Sequence, residues 1–210
     1  MKFSRTFLGA AAAIAMSAAA LPASAVTIYA LNQTFTAGLV GPFGTVTLTQ
    51  NGANEVDVSV ALAAGFQFVK TGGPHNAFTF NLDTTGYSVS NIVSALYADS
   101  KPGSNPAFGT FTDALTCASC QNGGAGAFTS TLTFAVGKGT GILESDFVAN
   151  AAGFTFSADV ISRLVNPGTT GAVGAGSAPV PGVVPEPESY ALMLAGLGAL
   201  GFMARRRKPA

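Results

Sequence analysis

The chain has no tryptophan, one histidine (His75), two cysteines (Cys117 and Cys120) and no net charge. Charged residues are 10% of it, against about 25% in a typical soluble protein. Each shortage excludes something. A single histidine rules out a His-rich metal site and makes any Ser–His–Asp hydrolase depend on His75 alone. A balanced charge without a basic stripe excludes a nucleic-acid binder. A disordered solvating chain needs high net charge and few aromatics, and this chain has neither. The missing tryptophan removes one of the two usual platforms for stacking a sugar, leaving tyrosine. What remains is 210 residues rich in glycine (26) and phenylalanine (16), enough for one domain with tails.

The two ends read as addresses. Lys2 and Arg5 precede an apolar stretch, Thr6 to Leu21, which Pro22 breaks. Ala23-Ser24-Ala25 then forms a small-x-small cleavage site, so residues 1–25 read as a signal peptide cut after Ala25. That implies an export translocon and a signal peptidase as partners, and a mature chain starting at Val26. At the other end, residues 189–204 (SYALMLAGLGALGFMA) carry no charge, and Arg205, Arg206, Arg207 and Lys208 follow at once. As a helix this run is roughly 24 Å long, a marginal match to a hydrocarbon core of about 30 Å. The basic cluster stays cytoplasmic by the positive-inside rule. Both ends therefore predict one topology, with the domain outside and the arginines inside.

Just before the apolar run stands Val184-Pro185-Glu186-Pro187-Glu188. Two prolines lock φ and remove two backbone donors, so the segment stays extended and open to a processing enzyme. Pro185, Glu186 and Pro187, then a short apolar helix, then a terminal arginine cluster together resemble the PEP-CTERM sorting signal. The resemblance covers about the last 25 residues. It implies export by a Gram-negative bacterium and processing by an exosortase, a membrane-embedded, cysteine transpeptidase-like enzyme. It implies a membrane intermediate and then a cell-surface or extracellular product, often linked to exopolysaccharide and to biofilm or floc formation. It indicates a route and no activity, because unrelated domains carry the same signal.

Between the addresses, residues 166–184 (NPGTTGAVGAGSAPVPGVV) lack charge and aromatics and read as a Gly/Pro-rich linker. This leaves residues 26–165 as the domain and 185–210 as the sorting region. The domain holds four basic residues (Lys70, Lys101, Lys138, Arg163) and eight acidic ones, so it is mildly acidic. Its pattern is β. Val56, Val58, Val60 and Leu62 alternate with Glu55, Asp57, Ser59 and Ala61, which gives a strand one apolar and one polar face. Val46 and Leu48 alternate with threonines, and Asn51-Gly52 between the two runs predicts a tight type I′ hairpin. Further strands are expected at 26–31, around Phe78–Leu82, around Leu132–Val136, and from Phe154 to near Ile161. A short helix is expected over 144–151, closed by Gly153. The fold class that follows is mainly β, an antiparallel β-sandwich or jelly-roll-like single domain between a signal peptide and a short C-terminal transmembrane helix.

Chemistry-bearing residues are sparse. Cys117 and Cys120 in Cys-Ala-Ser-Cys predict a loop disulfide in an exported protein, because the following Gln-Asn-Gly-Gly does not open the helix that a redox site needs. His75 lies in a turn before the Phe78 strand and no Gly-x-Ser-x-Gly elbow accompanies it. Glu55 and Asp57 lie about 7 Å apart on one strand face. Paired carboxylates can hydrolyse glycosides, but these read as the solvated face of a hairpin. Glu144 and Asp146 read as helix-start acids. No calcium loop, phosphate loop or zinc ligand set is present, so no catalytic residue, metal or cofactor is assigned. The phenylalanines at alternating strand positions read as core. Tyr87 and Tyr97, in loop-like surroundings, are the first candidates for contact with a glycan. The expectation is a non-enzymatic surface or matrix protein. A glycan-binding module, and then a hydrolase of surface polysaccharide, are the alternatives.

Overall fold

Strict two-residue alternation forms strands here wherever one face can be buried. In the computed structural model, residues 26–73, 75–117, 129–176, 179 and 196–198 are described. The strands in chain order are β1 (Val26–Leu31), β2 (Gln33–Thr34), β3 (Gly44–Gln50), β4 (Glu55–Leu62), β5 (Phe66–Phe68), β6 (Phe78–Phe80) and β7 (Ser88–Ser90). They continue with β8 (Tyr97–Asp99), β9 (Gly103–Asn105), β10 (Gly109–Phe111), β11 (Asp113–Cys117), β12 (Thr131–Gly137), β13 (Phe154–Ser162) and β14 (Thr170–Gly176). All of them fall in one compact unit, Ser24–Pro185.

Two antiparallel sheets form the body. One has the order β1-β3-β4-β12-β7, and the other runs β2-β14-β13-β6-β11-β8 with β5 also paired to β13. The register puts the predicted apolar faces together. Val46 lies opposite Val60, Leu48 opposite Val58, and Phe134 opposite Val58 on the other side of β4. These side chains are buried against Phe78, Phe80, Phe156 and Val160 of the second sheet in one shared core. The phenylalanines meet there as rings. Phe78 stacks on Phe156 with centroids 5.9 Å apart, and Phe134 packs edge-on to Phe78 at 6.0 Å and tilted on Phe80 at 5.4 Å. Burying one such side chain contributes about 1.5–3 kcal/mol.

The β3–β4 connection is longer than the expected two-residue turn. The strands end at Gln50 and resume at Glu55, and Asn51 N–H bonds to the Glu55 carbonyl. Gly52 alone of the pair takes positive φ (+70°). Asn51 instead uses its side chain, donating from Nδ2 to Glu55 and to Asp57. The expected helix over 144–151 is a single 3-10 turn, Glu144–Asp146. Phe147 then leaves it to bridge Leu82 and pack on Phe80 and Phe156, which a helix would forbid. Gly153 does take positive φ (+89°), in the turn that enters β13.

The largest correction concerns the linker. Residues 166–176 belong to the domain, because β14 lies between β2 and β13 in the second sheet. Its small residues are a packing requirement. A Cβ on Gly174 would lie 2.5 Å from the Phe108 ring, and one on Gly171 would meet the Thr36 side chain. Phe108, Phe111 and Ala172 form a second apolar cluster, separate from the main core, with Phe154 packed against it. The hairpin β9–β10 packs on β6, β11 and β13. So β13 is buried almost along its whole length, with apolar Phe156, Ala158 and Val160 in the core and polar Thr155, Ser157 and Asp159 enclosed at the alternate positions.

Candidate functional site

Polar groups gather at three places in the sandwich. The first is the rim where β8, β11 and the segment between β8 and β9 meet. Antiparallel pairing sets Asp99 opposite Leu115, two residues along β11 from Asp113. Lys101 joins them, with Nζ 3.0 Å from Asp113 and 3.9 Å from Asp99. Its ammonium also lies 3.9 Å from the centre of the Tyr87 ring. Asp113 is fully buried, and its carboxylate also accepts from the Ala114 N–H at 2.7 Å. Burial, reinforced by Asp99, pushes its pKa up to about 7, while Lys101 and the Ala114 amide pull the other way. The Tyr87 hydroxyl is pushed up to about 12, first by burial.

This rim places the two tyrosines singled out as glycan contacts. The Tyr87 ring is already engaged by Lys101, so that side is unavailable to a sugar. Tyr97 is 5% exposed, packed edge-on to Phe68 in the core, with its hydroxyl pKa raised by burial. Its ring offers no face to a ligand, and the reason is register: β8 pairs with β11 and turns Tyr97 inward beside Cys117. The loop-like composition around it concealed a strand.

The second place is the enclosed polar layer on β13. Thr79 and Ser157, paired across β6 and β13, share a hydroxyl–hydroxyl hydrogen bond of 2.7 Å. Asp159 accepts from Thr71 twice, from N–H at 2.8 Å and from Oγ1 at 2.6 Å. Burial raises its pKa to about 6, against the opposing pull of Thr71 and of the His75 charge. His75 Nδ1 is enclosed without a hydrogen-bond partner. The histidine therefore comes near an aspartate, while the serine of this layer is bonded to a threonine.

The third place is a groove of about 460 Å³ lined by Thr27, Tyr29, Gln50, Leu143, Glu144 and Pro179. Glu144 was expected to serve its own helix start, and Asp146 alone does so, accepting from Leu143 N–H at 2.9 Å. Glu144 reaches across to the first sheet, accepting from Thr27 Oγ1 and from Gln50 N–H. Nothing in the sequence pattern signalled this, since it depends on how the turn packs on β1 and β3. Among the described residues no group of three or more His, Cys, Asp or Glu is placed to hold a metal ion.

Several assigned residues lie outside the described ones: Ala23 and Ala25, Cys120, Pro185, Glu186 and Pro187, and Arg205 to Lys208. Cys117 is described, buried at the end of β11. Of the apolar run 189–204 only residues 196–198 are described, as one helical turn, and among the described residues no helix is long and apolar enough to cross a membrane.

Comparison with known families supplies the functional signature. The PEP-CTERM protein-sorting motif matches residues 183–208. This interval contains the Pro-Glu-Pro element, the apolar run and the arginine cluster, as the resemblance implied. The motif marks an exported chain sorted by an exosortase. No curated protein and no solved structure matches the chain.

Proposed function

We propose that this is a non-enzymatic exported protein whose β-sandwich is delivered to the cell surface or extracellular matrix, where it acts as a structural partner of exopolysaccharide. The match of residues 183–208 to the PEP-CTERM sorting motif carries the reading. The leader, residues 1–25, takes the chain through the export translocon. The 189–204 run holds it in the membrane as an intermediate, and exosortase acts at the Pro185–Pro187 element. Supporting this role, Asp113 is bonded to Lys101, Thr79 to Ser157 and Thr71 to Asp159 within the sandwich or its rim, one side of the Tyr87 ring is covered by Lys101, and Tyr97 is buried. Cys117 and Cys120 form a short loop disulfide in the oxidising compartment, which fastens the end of β11.

A deletion strain of the native host tests the role. Loss of cohesion in the exopolysaccharide matrix, restored by the full chain and not by a chain ending at residue 182, is the expected result. Matrix of unchanged amount and cohesion contradicts it.

A further inference from the structure

The described pairing of β1 with β3 reaches Val26, and the Glu144 side chain bonds the next amide along β3. Val26 lies opposite Thr49, so Gln50 is the next residue on β3. Asn51 N–H bonds toward β4, to the Glu55 carbonyl. Successive amides on a strand point to opposite sides, so Gln50 N–H points toward β1. Glu144 accepts from it at 2.9 Å, and its other oxygen accepts from the Thr27 hydroxyl. Glu144 is 7% exposed, and among the described residues its carboxylate has no lysine or arginine partner. A buried carboxylate without a counter-charge is costly. The apolar walls of Tyr29, Leu143 and Pro179 around it strengthen any charge that could pair with it.

We propose that the groove around Glu144 is a binding site for the α-ammonium of Val26, formed when the leader is removed. This rests on the reading of residues 1–25 as a cleaved leader. Hydrolysis of the Ala25–Val26 bond by signal peptidase consumes one water, leaving a carboxylate on Ala25 and an ammonium on Val26. Before cleavage the Val26 nitrogen is a neutral amide. Afterwards it is a cation one residue from Thr27, whose hydroxyl already touches Glu144. The pair anchors β1, an edge strand of its sheet. Processing thereby completes the fold: the exported form gains an ion pair that the precursor lacks.

The test compares the chain 26–210, released in detergent from a cleavable fusion so that it begins at Val26, with the same chain retaining Ala25 with its amine acetylated, so that no α-ammonium remains. Each is made with the native Glu144 and with the substitution Glu144→Gln. Retaining Ala25 is expected to lower the thermal midpoint by about 3–6 °C in the native pair and to have no effect in the Glu144→Gln pair, where no carboxylate charge remains. Equal midpoints in the native pair, or equal losses in both pairs, overturn the proposal. Should Glu144→Gln fail to fold, the Val26 amine gives a second readout. Its acetylation by a mild acylating reagent at neutral pH should run at least about fivefold slower than in a peptide of the same first residues, because a paired ammonium holds its proton. An equal rate overturns the proposal. The leader reading is checked separately by the N-terminal mass of protein from the exporting host. A start other than Val26 refutes the leader assignment, whereas the midpoints of chains made to begin at Val26 still decide the pairing.

Discussion

Asp113 and Asp159 give the domain its expected pH response. Both carboxyls are pushed above the unfolded value of 3.8, to about 7 and about 6, first of all by burial. Between pH 4 and 7 the folded chain therefore holds protons that the unfolded chain has released. Stability contributed by these groups is present below pH 4 and declines as pH rises through that window. Urea midpoints should fall from pH 4.5 to pH 8, and Asp113→Asn should flatten part of that fall. A midpoint that rises over the same range contradicts the assignment. At the core, Phe78 touches Phe80, Phe134 and Phe156, and Phe78→Ala should cost about 3–5 kcal/mol in chemical denaturation. The disulfide assigned to Cys117 and Cys120 closes a short loop, so Cys117→Ser in the oxidised protein should cost about 2 kcal/mol. Free thiol measured under denaturing conditions should rise from none to one per chain on that substitution, and a fall from two to one would contradict a pair. The residue scale was the least legible in the sequence. His75, Glu144 and Tyr97 were each read from their neighbours in the chain, whereas their surroundings are set by residues on other strands.

Strand β14 is the element where composition misled most. Thr170–Gly176 reads as a flexible linker because it has no large side chain, yet the absence of side chains lets Phe108 and Thr36 close over it. Gly174→Val should destabilise the domain by about 1–3 kcal/mol through overpacking against the Phe108 ring, measured by denaturant titration. An unchanged midpoint would mean that the hairpin lifts off at no cost. The long alternating strands were legible because one buried face imposes a period of two. Thus β1, β3, β4, β12 and β13 coincide closely with the expected runs. The short strands β5 and β7 to β10 were not, since three residues carry too little periodicity, nor was the five-residue β11, and their pairing is decided by β6, β12, β13 and each other. Phe147 likewise turned an expected helix into one 3-10 turn, because its ring is needed in the core.

At the scale of the whole molecule, charge and apolar length sort the chain into a domain and its addresses. The domain is mildly acidic and the cationic residues that balance it stand mainly in the first five residues and the last six. The sorting motif was legible because its three parts are linear and need no tertiary contact, and the family match spans the same residues. The sandwich was legible as a class through its periodicity. Its role was not, because burial and pairing absorb the residues that would otherwise suggest a ligand. The central claim is that the mature product is made by two cuts, one at each end. Intact mass spectrometry of the protein recovered from native host cells and medium tests it most directly. The expected product starts at Val26 and ends within residues 185–188. A mass that retains Arg205 to Ala210 would contradict it and make the tail a permanent membrane anchor.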